Sequence, residues 1–281
     1  MLASHRHPMP QPALHPDEPF PPPASRPAPH GEARLPRDLQ RDLLAAIAND
    51  ELALHYQPRA TLLDGIPTGA EAVVRWPHRR RGLVSPNMFQ TLADHAGVAA
   101  ALGGWTLRHA CAEAVGWPQG SIAVAVSARQ LLDQALAGQI AEALEISLLP
   151  PERLALALPE SALADTGIDE LLTLSALRDL GVGLVLDDFG AAIGSLTQLR
   201  RLPLTALKLA SPLVRNLPAD REDAAIVRAV TTTAHALGLT VIADGVETER
   251  QRAFLTACGC DEGQGALFGL PQRGGTLRRA R

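Results

Sequence analysis

The sequence predicts an α/β chain closed into a modified TIM (β/α)8 barrel. Eight strand-like stretches alternate with helical patterns, the order of a parallel sheet whose crossovers are helices. Several of these stretches are unbroken apolar runs, as in strands buried on both faces. Acids and one lysine stand where such runs end, and closed barrels carry their chemistry at the carboxyl ends of their strands.

Residues 1–36 hold eleven of the 23 prolines and four of the nine histidines. Such a segment buries too little apolar area to offset its ordering entropy, so a disordered tail is expected. The barrel domain is expected over residues 37–272. Behind Pro36, Leu39, Leu43, Leu44 and Ile47 recur at helical spacing. The stretches 52–57 and 70–76 are strand-like, and Asp64-Gly65 between them predicts a hairpin, making the first strand antiparallel. The run His78-Arg79-Arg80-Arg81 reads as a solvated basic loop. Helical patterns cover 86–96 and 99–116, followed by a strand at 122–126, helices over 128–147, a strand at 154–158 and a helix over 168–180. A strand at 182–187 then runs through Leu184-Val185-Leu186 into Asp187-Asp188-Phe189-Gly190. A short helix near 195–201, a strand at 206–209, a long helix over 220–237, a strand at 240–243, a helix over 248–257 and a last strand near 264–268 complete the domain. Residues 273–281 carry Arg273, Arg278, Arg279 and Arg281 without an acid and read as a basic C-terminal tail.

Composition narrows the function. Of 281 residues 46% are hydrophobic but only 3% aromatic, so the core is built from Leu, Ala and Val. A net charge of -4 gives no basis for direct nucleic-acid binding. Cys111, Cys258 and Cys260 form neither a disulfide framework nor a zinc pattern and are expected to be ordinary buried thiols in a reducing compartment. No apolar run reaches the roughly 18 residues of a membrane span. The N-terminus lacks a signal peptide's apolar core. A soluble, cytoplasmic protein is the expectation.

The strand ends carry the chemistry. Glu71, Asp187, Asp188, Lys208, Asp244 and Glu247 lie on separated segments that a barrel gathers at one mouth. Oxygen ligands there suit Mg²⁺ or Mn²⁺, and a lysine stabilises charge developing on a phosphate ester. Other strand ends are apolar: Ala125 within Val124-Ala125-Val126, Ala157 within Leu156-Ala157-Leu158, and Ala210 after Lys208-Leu209. Buried carboxylates need a counter-charge. Here it is either a metal or Lys208.

These residues sit in motifs that follow one another along the chain. They are Tyr56-Gln57-Pro58, Glu71-Ala72-Val73 with Arg75-Trp76, the segment Pro86 to Phe89, Asp187-Asp188-Phe189-Gly190, Leu202-Pro203 with Lys208, Ala243-Asp244-Gly245-Val246-Glu247-Thr248, and Gly259-Cys260-Asp261 before Gln264-Gly265. Through them residues 37–272 resemble the EAL domain, whose active members hydrolyse cyclic di-GMP to linear pGpG. The resemblance implies metal ligands at Glu71, Asp187 and Asp188, a catalytic lysine at Lys208, and a general base at Asp244, where the family has the longer glutamate. It implies that Glu247 positions the loop after the paired aspartates, and that Gln57, Arg75 and Gln264 contact the ligand. Three further family ligands, an asparagine, a glutamate and an aspartate, fall on Ala125, Ala157 and Ala210. The loop after Gly190 reads Ala191-Ala192-Ile193-Gly194-Ser195 where the family has Thr-Gly-Tyr-Ser-Ser.

Mg²⁺ requires nearly octahedral oxygen coordination, which alanines do not supply. Loss of one ligand partner commonly costs about ten- to hundred-fold in affinity or activity. The expectation is therefore a degenerate, stand-alone member of the family, catalytically impaired, regulating through a protein partner or homodimer with or without cyclic di-GMP. The alternatives are an active metal-dependent phosphodiesterase and a non-hydrolysing cyclic di-GMP receptor.

Overall fold

The hairpin expected at Asp64-Gly65 opens the sheet. In the computed structural model β1 (Ala53–Thr61) and β2 (Pro67–His78) pair antiparallel, with Gln57 opposite Glu71 and Ala53 opposite Arg75. The structure describes residues 37–84, 98–160, 167–191 and 199–274. The tail at 1–36, the helix expected over 86–96, residues 192–198 and residues 275–281 lie outside them.

From β2 the sheet continues through β4 (Ser121–Ala125), β5 (Leu154–Pro159), β6 (Gly183–Phe189), β7 (Ala206–Leu209), β8 (Thr240–Ala243) and β9 (Glu262–Gln264), all in parallel register. The last of these, β9, pairs antiparallel with β1, with Arg59 opposite Gln264, and this closes an eight-stranded barrel. Two short strands are appended, β3 (Gly82–Val84) on β2 and β10 (Gln272–Arg273) on β1. The expected last strand near 264–268 lies earlier, at Glu262–Gln264, because Gly265 and Gly269 both take positive φ and turn the chain out of extended geometry. Arg273, read as the start of the basic tail, pairs with His55 in the sheet instead.

Alternation along each strand divides the core. Ile122, Val124, Leu156, Leu158, Leu184, Leu186, Leu207, Leu209 and Val241 point outward to the helices and are nearly fully buried. Ala123, Ala155, Val185, Ala206 and Ile242 point inward and form a layer of mostly small side chains inside the barrel. A third cluster joins α1 (Arg37–Ala48) to α2 (Val98–Ala114) through Leu39, Leu43, Trp76 and Trp105. Leu44, one of the apolar positions that predicted α1, faces outward and is 40% exposed. Trp105 Nε1 donates to Asp50 Oδ1 at 2.7 Å and ties the end of α1 to α2. Cys111 and Cys260 are buried, and burial pushes both thiols up to about 11. Cys258 is half-buried and its thiol is also raised, mainly by burial.

The loop that carries Asp244 is held from both sides. Thr248 and Gln251 form a capping box at the start of the helix Glu249–Ala257. The Gln251 amide also donates to the carbonyls of Val214 and Arg215, at 3.2 and 3.0 Å. Across the loop, Val246 N donates to Gln264 O at 3.0 Å, and Gly265 lies so close that a Cβ there would meet three backbone atoms of Val246. Gly265→Ala is therefore expected to destabilise the protein by about 1–3 kcal/mol. Urea denaturation of wild type and variant checks this.

Candidate functional site

The inner layer of small side chains positions the site. Two residues beyond Ala123, Ala155, Val185, Ala206 and Ile242 come Ala125, Ala157, Asp187, Lys208 and Asp244, on the same face and one step nearer the carboxyl rim. Gln57 and Glu71 face each other across the β1–β2 ladder, and Gln264 enters from β9. The fold thus gathers Gln57, Glu71, Asp187, Lys208, Asp244 and Gln264 at one mouth.

Lys208 is 6% exposed, and its Nζ donates to Glu71 Oε2 at 2.5 Å and lies 3.4 Å from Asp187 Oδ1. The sequence reading set Lys208 against the paired aspartates; the nearest carboxylate is Glu71, because the barrel closes β2 around to the strands that follow. Gln264 Nε2 donates to Glu71 Oε2 at 2.9 Å and to Gln57 Oε1 at 3.3 Å. Two residues expected to contact ligand are therefore joined to the ion-pair cluster.

Both aspartates of the pair serve the mouth, although neighbours on a regular strand face opposite sides. The register between β6 and β7 shifts between Leu186 and Phe189, and Asp188 takes φ +56°, a left-handed conformation uncommon outside glycine. Asp188 N donates to Asp187 Oδ1 at 2.9 Å. The Asp188 charge acts on both Asp187 and Asp244.

Burial and charge set the protonation of the cluster. Burial raises Glu71, but Lys208 and the bonds from Lys208 and Gln264 outweigh it and hold this carboxyl below its ordinary value. Burial dominates at Asp187 and, opposed by Lys208 and helped by Glu71, Asp188 and Asp244, lifts it to about 6. Asp244 is raised for the same first reason, with Lys208 opposing. Burial lowers Lys208, but Asp187, Glu71 and Asp244 together push it well above the ordinary lysine value. One ammonium thus serves several carboxylates, and they share a deficit of positive charge.

Glu247 is exposed and its side chain has no ion pair among the described residues. The loop it was expected to position falls largely at 192–198, outside the described residues. Arg75 is buried on β2, beyond Glu71, with its Nε unbonded. Sequence reasoning missed Arg59 and Glu262. Arg59 is 7% exposed, its Nε lies 2.7 Å from Glu262 Oε2, and its Nη2 donates to Ser121 Oγ at 2.6 Å. This second buried pair lies one layer below the mouth, and the Arg59 charge helps lower Glu71. The signal was the spacing of Arg59 two residues after Gln57 on one strand.

The donor set does not fit Mg²⁺ or Mn²⁺. Ala125, Ala157 and Ala210 offer no oxygen, and the ammonium of Lys208 takes up an oxygen of Glu71. Among the described residues no three His, Cys, Asp or Glu side chains are grouped to hold a metal ion.

Fold and site define a closed α/β barrel with one antiparallel strand and an acid–lysine mouth. The EAL domain model matches residues 40–271, and the chain belongs to the EAL domain family. It is 41% identical over 241 residues to the uncharacterized protein y4lL of Sinorhizobium fredii, covering 85% of this chain and 29% of that protein. It is 38% identical over 238 residues to the bifunctional diguanylate cyclase/cyclic di-GMP phosphodiesterase MucR of Pseudomonas aeruginosa, covering 83% of this chain and 35% of MucR. The chain therefore spans about a third of these relatives. A solved structure of the PaMucR phosphodiesterase in complex with c-di-GMP is similar at TM-score 0.80 and 37% identity, over 85% of this chain and 99% of that one. No helix among the described residues is long and apolar enough to cross a membrane.

Two outcomes follow from the charge deficit. Folded Asp187 keeps its proton to about pH 6, whereas the unfolded chain releases it near 3.8. The native state thus binds more protons in that window, and this group makes stability fall as pH rises through it. Glu71 acts with the opposite sign, its contribution being present above its ordinary 4.5 and lost as pH falls further. Asp187→Asn is expected to remove the fall between about pH 4 and 6 and to exceed wild type in stability at pH 7, read by urea titration across pH. Lys208→Met leaves buried carboxylates without a counter-charge and is expected to cost about 3–5 kcal/mol at pH 8. The loss is expected to be smaller at pH 5, where Asp187 is protonated; thermal melts at both pH values check this.

Proposed function

We propose that this protein is a non-hydrolysing EAL-domain regulator in bacterial cyclic di-GMP-linked signalling, acting in the cytoplasm by contact with a protein partner or a second copy of itself. One observation carries the reading: the Lys208 ammonium is bonded to Glu71 and close to Asp187, while alanines stand at 125, 157 and 210. The mouth neutralises its own acids in part and supplies too few oxygens for a two-metal centre, so the charge of a phosphoryl transition state would lack its main stabiliser. Asp244 sharpens the point. One methylene shorter than glutamate, its carboxylate is drawn back by about one bond length, and a misplacement of about 1 Å can cost on the order of a hundred-fold in rate. Asp244 also accepts from Gly245 N at 2.8 Å through Oδ1, which holds the carboxylate on its own backbone.

A second reading, a cyclic di-GMP receptor without turnover, is favoured by Arg75. A buried guanidinium with an unbonded Nε suits a phosphate, which takes charge-assisted bonds from its fork of donors. The PaMucR structure holds c-di-GMP on the same fold.

Incubation of purified protein with cyclic di-GMP and Mg²⁺ or Mn²⁺, followed by chromatography, is expected to yield no pGpG. Appearance of pGpG that Lys208→Ala abolishes would establish an active phosphodiesterase and overturn the proposal. The combined replacements Ala125→Asn, Ala157→Glu, Ala210→Asp and Asp244→Glu are expected to raise Mn²⁺ affinity by at least ten- to hundred-fold, roughly the worth of a single ligand partner. Calorimetry with the metal alone reads this. Calorimetry with cyclic di-GMP, with and without metal, tests the receptor reading, and absence of heat in both would remove it.

A further inference from the structure

A pair of thiols stands at the foot of the closing strand. Cys258-Gly259-Cys260 follows the helix Glu249–Ala257 and leads within two residues into β9, whose far end carries Gln264. Gly259 takes φ +86°, its N donates to Thr256 O at 2.9 Å, and Cys260 N donates to Leu255 O at 3.0 Å. These two bonds around one left-handed residue make a Schellman turn. A single left-handed residue between the cysteines holds their Cα atoms about 5.4 Å apart, the spacing two residues along a helical backbone of either hand. Disulfides span Cα separations of roughly 4.4–6.8 Å.

Both sulfurs also face one helix. Cys258 Sγ accepts from the Arg228 guanidinium, and Cys260 Sγ lies 3.4 Å from Thr231 Oγ1. Arg228 and Thr231 are three apart on the helix Arg221–Ala236 and so are neighbours on one of its faces. The Arg228 guanidinium lies 4.9 Å from the centroid of the Phe254 ring, which seats it beside Cys258. The two thiols differ in access: Cys258 is half-buried and Cys260 is buried. Solvent thus reaches the first, and the second stands behind it. The third cysteine, Cys111, is a buried thiol on α2.

We infer that Cys258 and Cys260 form a redox-active dithiol that closes to an intrachain disulfide on exchange with a low-molecular-weight disulfide, Cys258 attacking and Cys260 resolving. The Cys258 thiolate attacks one sulfur of the small disulfide; that S–S bond breaks, and one thiolate leaves and takes up the proton lost from Cys258. The Cys260 thiolate then attacks the Cys258 sulfur of the mixed disulfide, and the second thiolate leaves with the proton from Cys260. The dithiol loses two electrons and two protons, and one small disulfide becomes two thiols. Burial raises both protein thiols, opposed by the Arg228 charge at Cys258 and by the Thr231 bond at Cys260. The thiolate is the nucleophile, so the exchange is slow at neutral pH and quickens as pH rises. This site lies outside the mouth and does not rest on the regulator reading. Closure gives up the Arg228 and Thr231 bonds next to the strand that carries Gln264.

The test uses the whole chain and oxidised glutathione, with an acid quench, denaturation, alkylation and mass spectrometry of the tryptic peptides. Cys258 and Cys260 share one such peptide, residues 253–273, and Cys111 lies on another. In wild type the shared peptide is expected to become two hydrogens lighter and to escape alkylation, while Cys111 is recovered as an alkylated thiol; dithiothreitol reverses the change. Formation is expected to speed up about tenfold from pH 7 to pH 8, following the thiolate fraction. Cys260→Ser is expected to stop at a glutathione mixed disulfide on Cys258, and Cys258→Ser to form neither product. A wild-type protein that stops at the mixed disulfide removes the resolving role of Cys260 and overturns the proposal. Recovery of both cysteines as alkylated thiols, or their linkage to Cys111 or to a second chain, overturns it as well.

Discussion

The buried ammonium of Lys208 is the charge around which the barrel mouth is arranged. It reaches Glu71 from the antiparallel hairpin and Asp187 from the middle of the parallel sheet, so it joins the start of the chain's path around the barrel to its middle. Its worth lies less in net stabilisation, since a buried ion pair often only balances its own desolvation, than in the penalty for removing it. Gln264 extends the network to the closing strand and to Gln57. Strands from the start, middle and end of the domain are thereby held in one polar cluster, in a layer just above the small side chains that fill the interior.

The same interaction separates this mouth from one built for metal ions. Where an ammonium stands against carboxylates, a divalent cation has to displace it and find oxygens of its own, and three positions that would supply them end in methyl groups. The backbone around Asp188 retains a left-handed residue and a shifted register, which together bring two adjacent carboxylates to one place. Such strain persists only where its surroundings enforce it.

Much of the fold was legible in the residues. The strands at Ala206–Leu209 and Thr240–Ala243 and the helices at Ile168–Asp179, Arg221–Ala236 and Glu249–Ala257 stand within a residue or so of their sequence patterns. They are bounded by glycines, N-cap residues and switches of apolar period that act locally. The misses were positions where local pattern and tertiary partner disagree. Leu44 has helical spacing but stands 40% exposed, with no described neighbour to cover it. The short strand β9 stops at Gln264 because Gly265 must pass against the backbone of Val246. Arg273 looked like part of a basic tail, yet β10 pairs it with His55. Arg59 was missed, because only closure of the barrel places Glu262 beside it.

By itself the sequence determined the strand–helix alternation, the antiparallel hairpin, the family motifs and the list of mouth residues, including the three alanines. Each of these depends on residue type and spacing along the chain. The tertiary structure alone decided the pairing: that Lys208 meets Glu71 before Asp187, that Gln264 bridges Glu71 and Gln57, and that Arg75 stays buried without an acid among the described residues. These depend on the register in which distant strands meet around a closed barrel, and hydrophobic spacing within one strand carries no information about the polar atom that will face it across the interior.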